Sequence, residues 1–403
     1  MLNKIKNNID SLRLSPNQYL IILICFFLNV IDGVDVLIMS YTAPVITSDW
    51  SISSDTLGIV FSSGLLGMAI GALLLAPQAD YIGRKKIILI SVIIISSGVF
   101  FTGFSKNICH LITLRFFSGI GIGAMLATTA SIVSECTPSR SKDFWISFIL
   151  AGYPIGAILA GYVSNIIIDI YGWEYVFFIF GAISLIFIPI VYFLMSESIV
   201  FLKINKTKNQ TVPLLSLFSK THFTQTLKLW MAFFFSFGCL YFLISWIPKL
   251  VTETGLSLKL GIYSGTIFNL GAFFGIITQG YFSSKFGVKK TISSFLFLTG
   301  VIMILIDFFV GSDFMLIIFG ILGFAIQGGF VGLYSVAARI YPSEFRTTGI
   351  GWGIGVGRLG AVIGPLCAGF FIASGLGFSA NFIIFSIPAF ISSIITYYIS
   401  MKD

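Results

Sequence analysis

Asp32 and Asp35 lie inside one uninterrupted apolar run, Tyr19 to Ile46, long enough to cross a bilayer. A carboxylate at the centre of a membrane helix costs about 3 kcal/mol on insertion scales, so a pair of them calls for a chemical use. Three residues apart, the two side chains share a helix face. Acids at that depth can relay a proton, bind an ion or neutralise a buried cation. Two cations stand in other apolar runs, Arg115 and Arg358. Arg358 lies about twelve residues into its run, roughly 18 Å at 1.5 Å per residue, which is near the bilayer midplane. A guanidinium forks onto a carboxylate through two parallel hydrogen bonds, so either arginine can hold an anionic solute. Desolvation and a neighbouring acid both raise the proton affinity of a carboxyl group, and an arginine lowers it. The residues therefore imply passage of a charged solute, with Asp32 and Asp35 carrying the proton and Arg358 or Arg115 engaging the solute. A static Asp–Arg pair that only clamps helices is the competing reading.

The elements that hold these residues follow from composition. The chain of 403 residues is 57% hydrophobic and 10% charged, with 43 Phe, whereas soluble domains carry about 25% charged residues. A spanning helix needs about 20 apolar residues, and only helices or closed barrels satisfy their own backbone in lipid. Twelve runs qualify, from Tyr19–Ile46 and Asp55–Ala79 at the start to Thr347–Ala373 and Phe378–Ser400 at the end. The expected class is an all-α membrane protein with twelve transmembrane helices. Lys4, Lys6 and Arg13 resemble the basic start of a signal peptide, but the apolar run that follows is too long and lacks a small-residue cleavage site, so it reads as a retained first span.

Charge sets the expected orientation. Of the 24 Lys and Arg, Lys106, Lys249 and Lys259 fall on one side and Arg115 and Arg358 within spans. The others flank the N-terminus, the even-numbered connections or the C-terminus, which predicts that both termini are cytoplasmic. The net charge of +8 is thus a topology signal, and no nucleic-acid partner is expected.

The chain also repeats at an offset of 204: Gly83 matches Gly287, Lys86 matches Lys290, and Gly119, Pro138, Gly156 and Pro44 match Gly323, Pro342, Gly360 and Pro248. Six spans per half is an even number, so the halves are parallel pseudo-repeats related about the membrane normal. The expected domains are a six-helix bundle over 1–196, a cytoplasmic linker over 197–226 and a second six-helix bundle over 227–403.

Other motifs count against other chemistries. Five scattered cysteines show neither CxxC nor metal spacing, so no disulfide framework and no metal site are expected. Gly119, Gly121 and Gly123 imitate a dinucleotide fingerprint, but inside a spanning helix they read as close-packing positions. His110 and His222 have no partner at metal or catalytic spacing, and there is no nucleophile–base set or P-loop, so the protein is not read as an enzyme.

The loop Ala76 to Lys86, with Asp80, Gly83, Arg84 and Lys85, resembles the Gly-x-x-x-Asp-Arg-x-Gly-Arg-Arg signature of the major facilitator superfamily; Ala76 and Tyr81 depart from it. A plain positive-inside anchor is the simpler reading. Asp32-Gly33-Val34-Asp35, the run Arg115 to Gly123, Ser134-Glu135, Pro138-x-Arg140, and the stretch Gly332 to Gly360 with Gly364-Pro365 look like that superfamily's aromatic acid:proton symporters. The resemblance runs over nearly the whole chain, which is somewhat short for that subfamily. It implies a major facilitator fold, no cofactor beyond the coupling proton, a monomer, and a multi-pass place in a cell membrane, the inner membrane of a bacterium. It implies proton-coupled import of a small organic anion, an aromatic carboxylate of the benzoate or hydroxybenzoate type. It also makes Asp80, Gly83, Arg84, Lys85, Glu135, Arg140, Arg339 and Arg346 gate or latch residues, against a reading as solvated loop charges.

Aromatic residues recur with helical spacing in the seventh span at Trp230, Phe234, Phe237 and Tyr241; Tyr241, Tyr334 and Trp352 are candidates to stack on a ring substrate. In so Phe-rich a chain the rival reading is lipid contact or packing. Three other functions compete with this one. A symporter of a dicarboxylate, sugar acid or carboxylate siderophore keeps the chemistry and changes the solute. A proton-antiporting exporter should carry Gly-x-x-x-Gly-Pro-x-x-Gly-Gly in the fifth span, which instead reads Gly152-Tyr153-Pro154-Ile155-Gly156. A sensor should carry an added soluble domain, and no segment is long enough for one.

Overall fold

Hydrophobicity on every face makes these helices. The computed structural model describes residues 14–138, 142–198, 223–312, 314–341 and 346–400. Among them are twelve helices long and apolar enough to cross a membrane. They are α1 (Pro16–Trp50), α2 (Ser54–Ile82), α3 (Arg84–Thr102), α4 (Ile108–Cys136), α5 (Phe144–Tyr171) and α6 (Trp173–Leu194), then α7 (Phe223–Glu253), α8 (Leu258–Phe286) and α9 (Val288–Phe309). The last three are α10 (Met315–Ile340), α11 (Arg346–Ala373) and α12 (Phe378–Tyr397). No strand occurs among the described residues. Large apolar side chains such as Phe193, Phe308 and Ile317 are left exposed, as expected of surfaces that face acyl chains rather than water.

The helices draw together through glycine. Apolar helices gain little from mutual burial in lipid, so close backbone approach has to supply the contact energy. A Cβ at Gly67 would lie 2.1 Å from the Phe116 carbonyl oxygen, one at Gly71 2.0 Å from that of Ile120, and one at Gly119 2.1 Å from that of Gly64. These contacts seat α2 on α4. In the second repeat, a Cβ added at Gly271, Gly275 or Gly323 would lie 1.8, 2.2 or 1.8 Å from the carbonyl oxygen of Gly320, Phe324 or Phe268. Likewise a Cβ at Gly156 would lie 2.0 Å from the Val30 carbonyl oxygen, between α5 and α1, and one at Gly360 2.0 Å from that of Phe234, between α11 and α7. Both the glycine and its partner recur at the offset of 204, so the repeat holds at the level of contacts. Gly119, Gly121 and Gly123 are all used in helix packing, as their reading as close-packing positions requires.

Gly156→Val is therefore expected to force α5 off α1. Overpacking typically costs about 1–3 kcal/mol, and a backbone clash this short belongs at or beyond the upper end. The readout is a lowered thermal midpoint, or loss of the monodisperse peak, for detergent-purified protein.

Packing divides the chain into two units. One comprises residues 1–38 with 63–208, and the other 39–62 with 209–403. The α1–α2 turn and its flanking helix segments thus pack with the second unit, cutting across the boundary suggested by the repeat. The contacts are specific. Ser40 Oγ lies 2.8 and 2.9 Å from the carbonyl oxygens of Ile244 and Ser245, and Ser62 Oγ donates to the Val362 carbonyl at 2.7 Å. The Phe61 and Trp246 rings meet edge to face at 5.3 Å. Most of the 197–226 linker lies outside the described residues; Glu197 and Ser198 are described, and α7 begins at Phe223.

Candidate functional site

In the first unit, α1 and α4 are joined by a buried ion pair. Arg115 Nη1 donates to Asp35 Oδ1 at 2.9 Å and Nη2 to Oδ2 at 2.7 Å, the two parallel bonds that a guanidinium fork permits. Nη2 also donates to the Asp35 backbone oxygen at 3.0 Å. Asp35 is 1% exposed, Asp32 2% and Arg115 4%. Neither carboxylate faces the lipid-exposed surface. Arg115, a substrate candidate from sequence, has its fork occupied by Asp35 in this conformation.

The second unit carries a different arrangement around Arg358. Its Nη1 donates to the Tyr241 hydroxyl at 3.2 Å, and its guanidinium carbon sits 5.7 Å from the centre of the Phe237 ring. Phe237 and Tyr241, one turn apart on α7, lie nearly parallel with centroids 6.0 Å apart. Phe330 meets Phe237 edge-on at 4.7 Å, and Tyr334 meets Phe330 at 5.8 Å and Phe233 at 5.4 Å. One guanidinium is thus set in a nest of aromatic rings, held by a hydroxyl and by a cation–π contact. Tyr241 and Tyr334, both candidates from the sequence, join this cluster. Phe233 and Phe330 belong to it too, and the sequence reading missed both. Trp352 does not share the arginine's side of α11. It stacks on Trp230 at 6.1 Å and is 42% exposed, on the face that also shows Leu359, Ile363 and Phe370, about 120° around the helix from Arg358. Phe234 contacts Phe235.

The face of α11 that bears Arg358 has a distinctive profile. Further along it, Val362 accepts from Ser62, and a Cβ at Gly369 would lie 2.6 Å from the Ser54 carbonyl oxygen, so that end packs on α2. Toward the helix start the same face presents Gly355 and Gly351, and a Cβ added at either meets nothing within 4 Å. Arg358 stands where the packed part gives way to open space.

The motif loop after α2 builds a third arrangement. Gly83, at φ 111°, turns the chain from α2 into α3 and has no side chain with which to cap the new helix. Glu197 supplies the missing acceptor. Its Oε1 receives the backbone N–H of Arg84 at 3.0 Å, and its carboxylate that of Lys85 at 3.3 Å, at the positive end of the α3 dipole. The Arg84 side chain reaches Asp80 at 2.7 Å and Glu135 at 3.0 Å, and bonds the Ala79 carbonyl at 2.9 Å. Ser198 Oγ donates to Glu135. Lys85 lies over the Tyr192 ring at 5.8 Å. Asp80, Arg84 and Glu135 are therefore brought together, and Glu197 is a member that no local sequence signal marked. Arg339 is exposed at the end of α10. Arg140 and the Arg346 side chain lie outside the described residues, and no group of residues that could hold a metal occurs among those described.

Twelve apolar helices whose glycine contacts recur at the repeat offset, with buried charges on α1 and α4 and a half-buried arginine on α11, define a polytopic membrane protein of the transporter class. The family model described as Major Facilitator Superfamily matches residues 24–279 and 264–402, and the chain belongs to that superfamily. It is 32% identical to the 3-(3-hydroxy-phenyl)propionate transporter of Escherichia coli (strain K12), over 90% of this chain and 89% of that protein. It is 29% identical to the gallate transporter of Pseudomonas putida, over 97% and 93%. Among solved structures, a D-xylose-proton symporter superimposes with a TM-score of 0.79 at 16% identity, covering 94% of this chain and 97% of that one, a likeness of fold.

Proposed function

We propose that the protein imports a small aromatic carboxylate together with protons, by alternating access. The observation that carries this reading is Arg358, whose guanidinium meets Tyr241 and Phe237, the near end of an aromatic cluster that Phe330 and Tyr334 continue. A carboxylate suits the guanidinium, and an aryl ring suits the surrounding faces and edges. The names of the relatives agree, since both transport acids that carry an aromatic ring. Asp32 and Asp35 are the proposed proton carriers. The fork on Arg115 gives protonation of Asp35 a consequence, because a neutral acid holds the guanidinium far less tightly than a carboxylate does. A proton moving inward offsets the work of concentrating an anion against a negative interior, about 2.3 kcal/mol per charge per 100 mV. The linked Asp80–Arg84–Glu135 group is proposed to open and close with the transport cycle, with both termini in the cytoplasm.

The test is uptake of labelled benzoate, hydroxybenzoates and gallate into proteoliposomes with an imposed pH gradient. Accumulation of at least one acid, abolished by a protonophore, is the expected result. Dicarboxylate accumulation instead would shift the substrate class, and gradient-driven efflux of cationic dyes without benzoate uptake would establish the exporter reading.

The open space beside Gly355 gives a size test. Gly355→Ala is expected to fold at least as well as the parent, since alanine gains about 1 kcal/mol over glycine in a helix and the new Cβ meets nothing. Gly355→Leu projects a branched side chain into the same space one turn from Arg358. It is expected to lower uptake about tenfold, and more for ring-substituted acids than for benzoate, with an unchanged thermal midpoint.

A further inference from the structure

A groove of about 370 Å³ runs between the start of α9 and the end of α12. At its floor the two helices are stitched by serines: Ser293 Oγ donates to the Ser393 carbonyl at 2.9 Å and Ser393 Oγ to the Ser293 carbonyl at 2.8 Å. Its walls are Phe297 and Ile394, which are 53% and 56% exposed on membrane-spanning helices and so face acyl chains. Its rim is polar, formed by Ser294, Tyr397 and Tyr398.

Two lysines are held at that rim. Lys289 Nζ lies 5.6 Å from the centre of the Tyr397 ring, and Lys228 Nζ donates to the Tyr398 carbonyl at 2.9 Å. Lys290 follows Lys289 in the first turn of α9, and Lys285 and Arg339 lie in the last turns of α8 and α10. Among the described residues, the acids of this unit, Asp49, Asp55, Glu253 and Asp307, all lie at the opposite ends of their helices. The rim is therefore positive with no described acid to neutralise it, at the depth where a spanning helix meets the headgroup layer.

We infer that this groove binds an anionic phospholipid, with its phosphate between Lys228 and Lys289 and one acyl chain along Phe297 and Ile394. The charge selects an anionic headgroup over a zwitterionic one. The apolar walls select a lipid over a soluble phosphate, which would leave them uncovered.

The test uses the full chain, purified and exposed to an equimolar mixture of phosphatidylglycerol, phosphatidylethanolamine and phosphatidylcholine, with bound lipid read by native mass spectrometry. One phosphatidylglycerol retained in preference to the others is expected. The double variant Lys228→Gln/Lys289→Gln should lose that adduct at least fivefold. Lys285→Gln, which removes a charge at the same end but outside the groove, should keep it. Equal retention of the three lipids, survival of the adduct in the double variant, or equal loss in Lys285→Gln overturns the assignment. The substituted lysines sit at helix ends near the surface, so folding is not at stake.

Discussion

Arg358→Ala is expected to cut the affinity for an aromatic carboxylate by about 100-fold and to abolish measurable uptake. A hydrogen bond to a charged group contributes about 1.5–3 kcal/mol, and each 1.4 kcal/mol is tenfold in binding. A forked carboxylate loses two such bonds, and among the described residues the aromatic cluster that remains has no other cation in contact. Arg358→Lys restores the charge but not the fork, so it should recover only part of the affinity. Tyr241→Phe removes the hydroxyl that accepts from Arg358 at 3.2 Å while keeping the ring stacked on Phe237. Losing one modest hydrogen bond, about 1 kcal/mol, predicts about a fivefold rise in the half-saturating concentration with little change in maximal rate. Equilibrium binding of labelled hydroxybenzoate to detergent-purified protein measures the three affinities, and initial uptake rates into proteoliposomes measure the transport effects. Full affinity in Arg358→Ala would remove the arginine from the site.

These expectations rest on residues of unequal legibility. Arg358 and Asp35 were visible in the sequence because lipid makes charge expensive, so an ionisable residue within an apolar run stands out without any structure. The twelve spans were visible for the same reason, though their ends were not. The first run reads as Tyr19–Ile46 and the helix spans Pro16–Trp50; the seventh reads as Leu227–Leu250 and spans Phe223–Glu253. Hydropathy reports where a helix leaves lipid, whereas hydrogen bonding carries the helix on into the polar region. Partner choice was also hidden. Two acids and two arginines allow several pairings, and 80 residues separate Asp35 from Arg115. Phe330 was invisible among 43 phenylalanines, because abundance erases the information in a residue type. Glu197 was hidden because its role is fixed by a helix start 113 residues earlier in the chain, whose capping glycine has no side chain to offer. The repeat, by contrast, was more legible than any single match suggested. Gly67 and Gly271 touch backbone oxygens that are themselves 204 residues apart, so the offset describes paired surfaces and not merely a frequent residue.

Asp35→Asn is expected to uncouple transport from the pH gradient while leaving the solute step intact. The paired neutral amide cannot take up and release a proton, so gradient-driven accumulation falls to background. Exchange of labelled for unlabelled substrate across the same vesicles needs no net proton movement and should persist. A clamp between α1 and α4 predicts something else, and stability separates the two. Removing one member of a buried ion pair strands the other and costs about 3–5 kcal/mol, whereas removing both charges together is often close to neutral. Arg115→Gln should thus lower the thermal midpoint strongly, because Asp35 is 1% exposed and has two side-chain bonds from that guanidinium. Asp35→Asn/Arg115→Gln should recover most of that loss. If the pair were only a clamp, the double variant would regain accumulation along with stability. If Asp35 carries the proton, the double variant is stable and exchanges substrate, yet it cannot concentrate it. Asp32→Asn, run beside it, divides the proton work between the two acids: background accumulation in both variants makes them a coupled pair, and accumulation retained in Asp32→Asn leaves the task to the carboxylate that Arg115 holds.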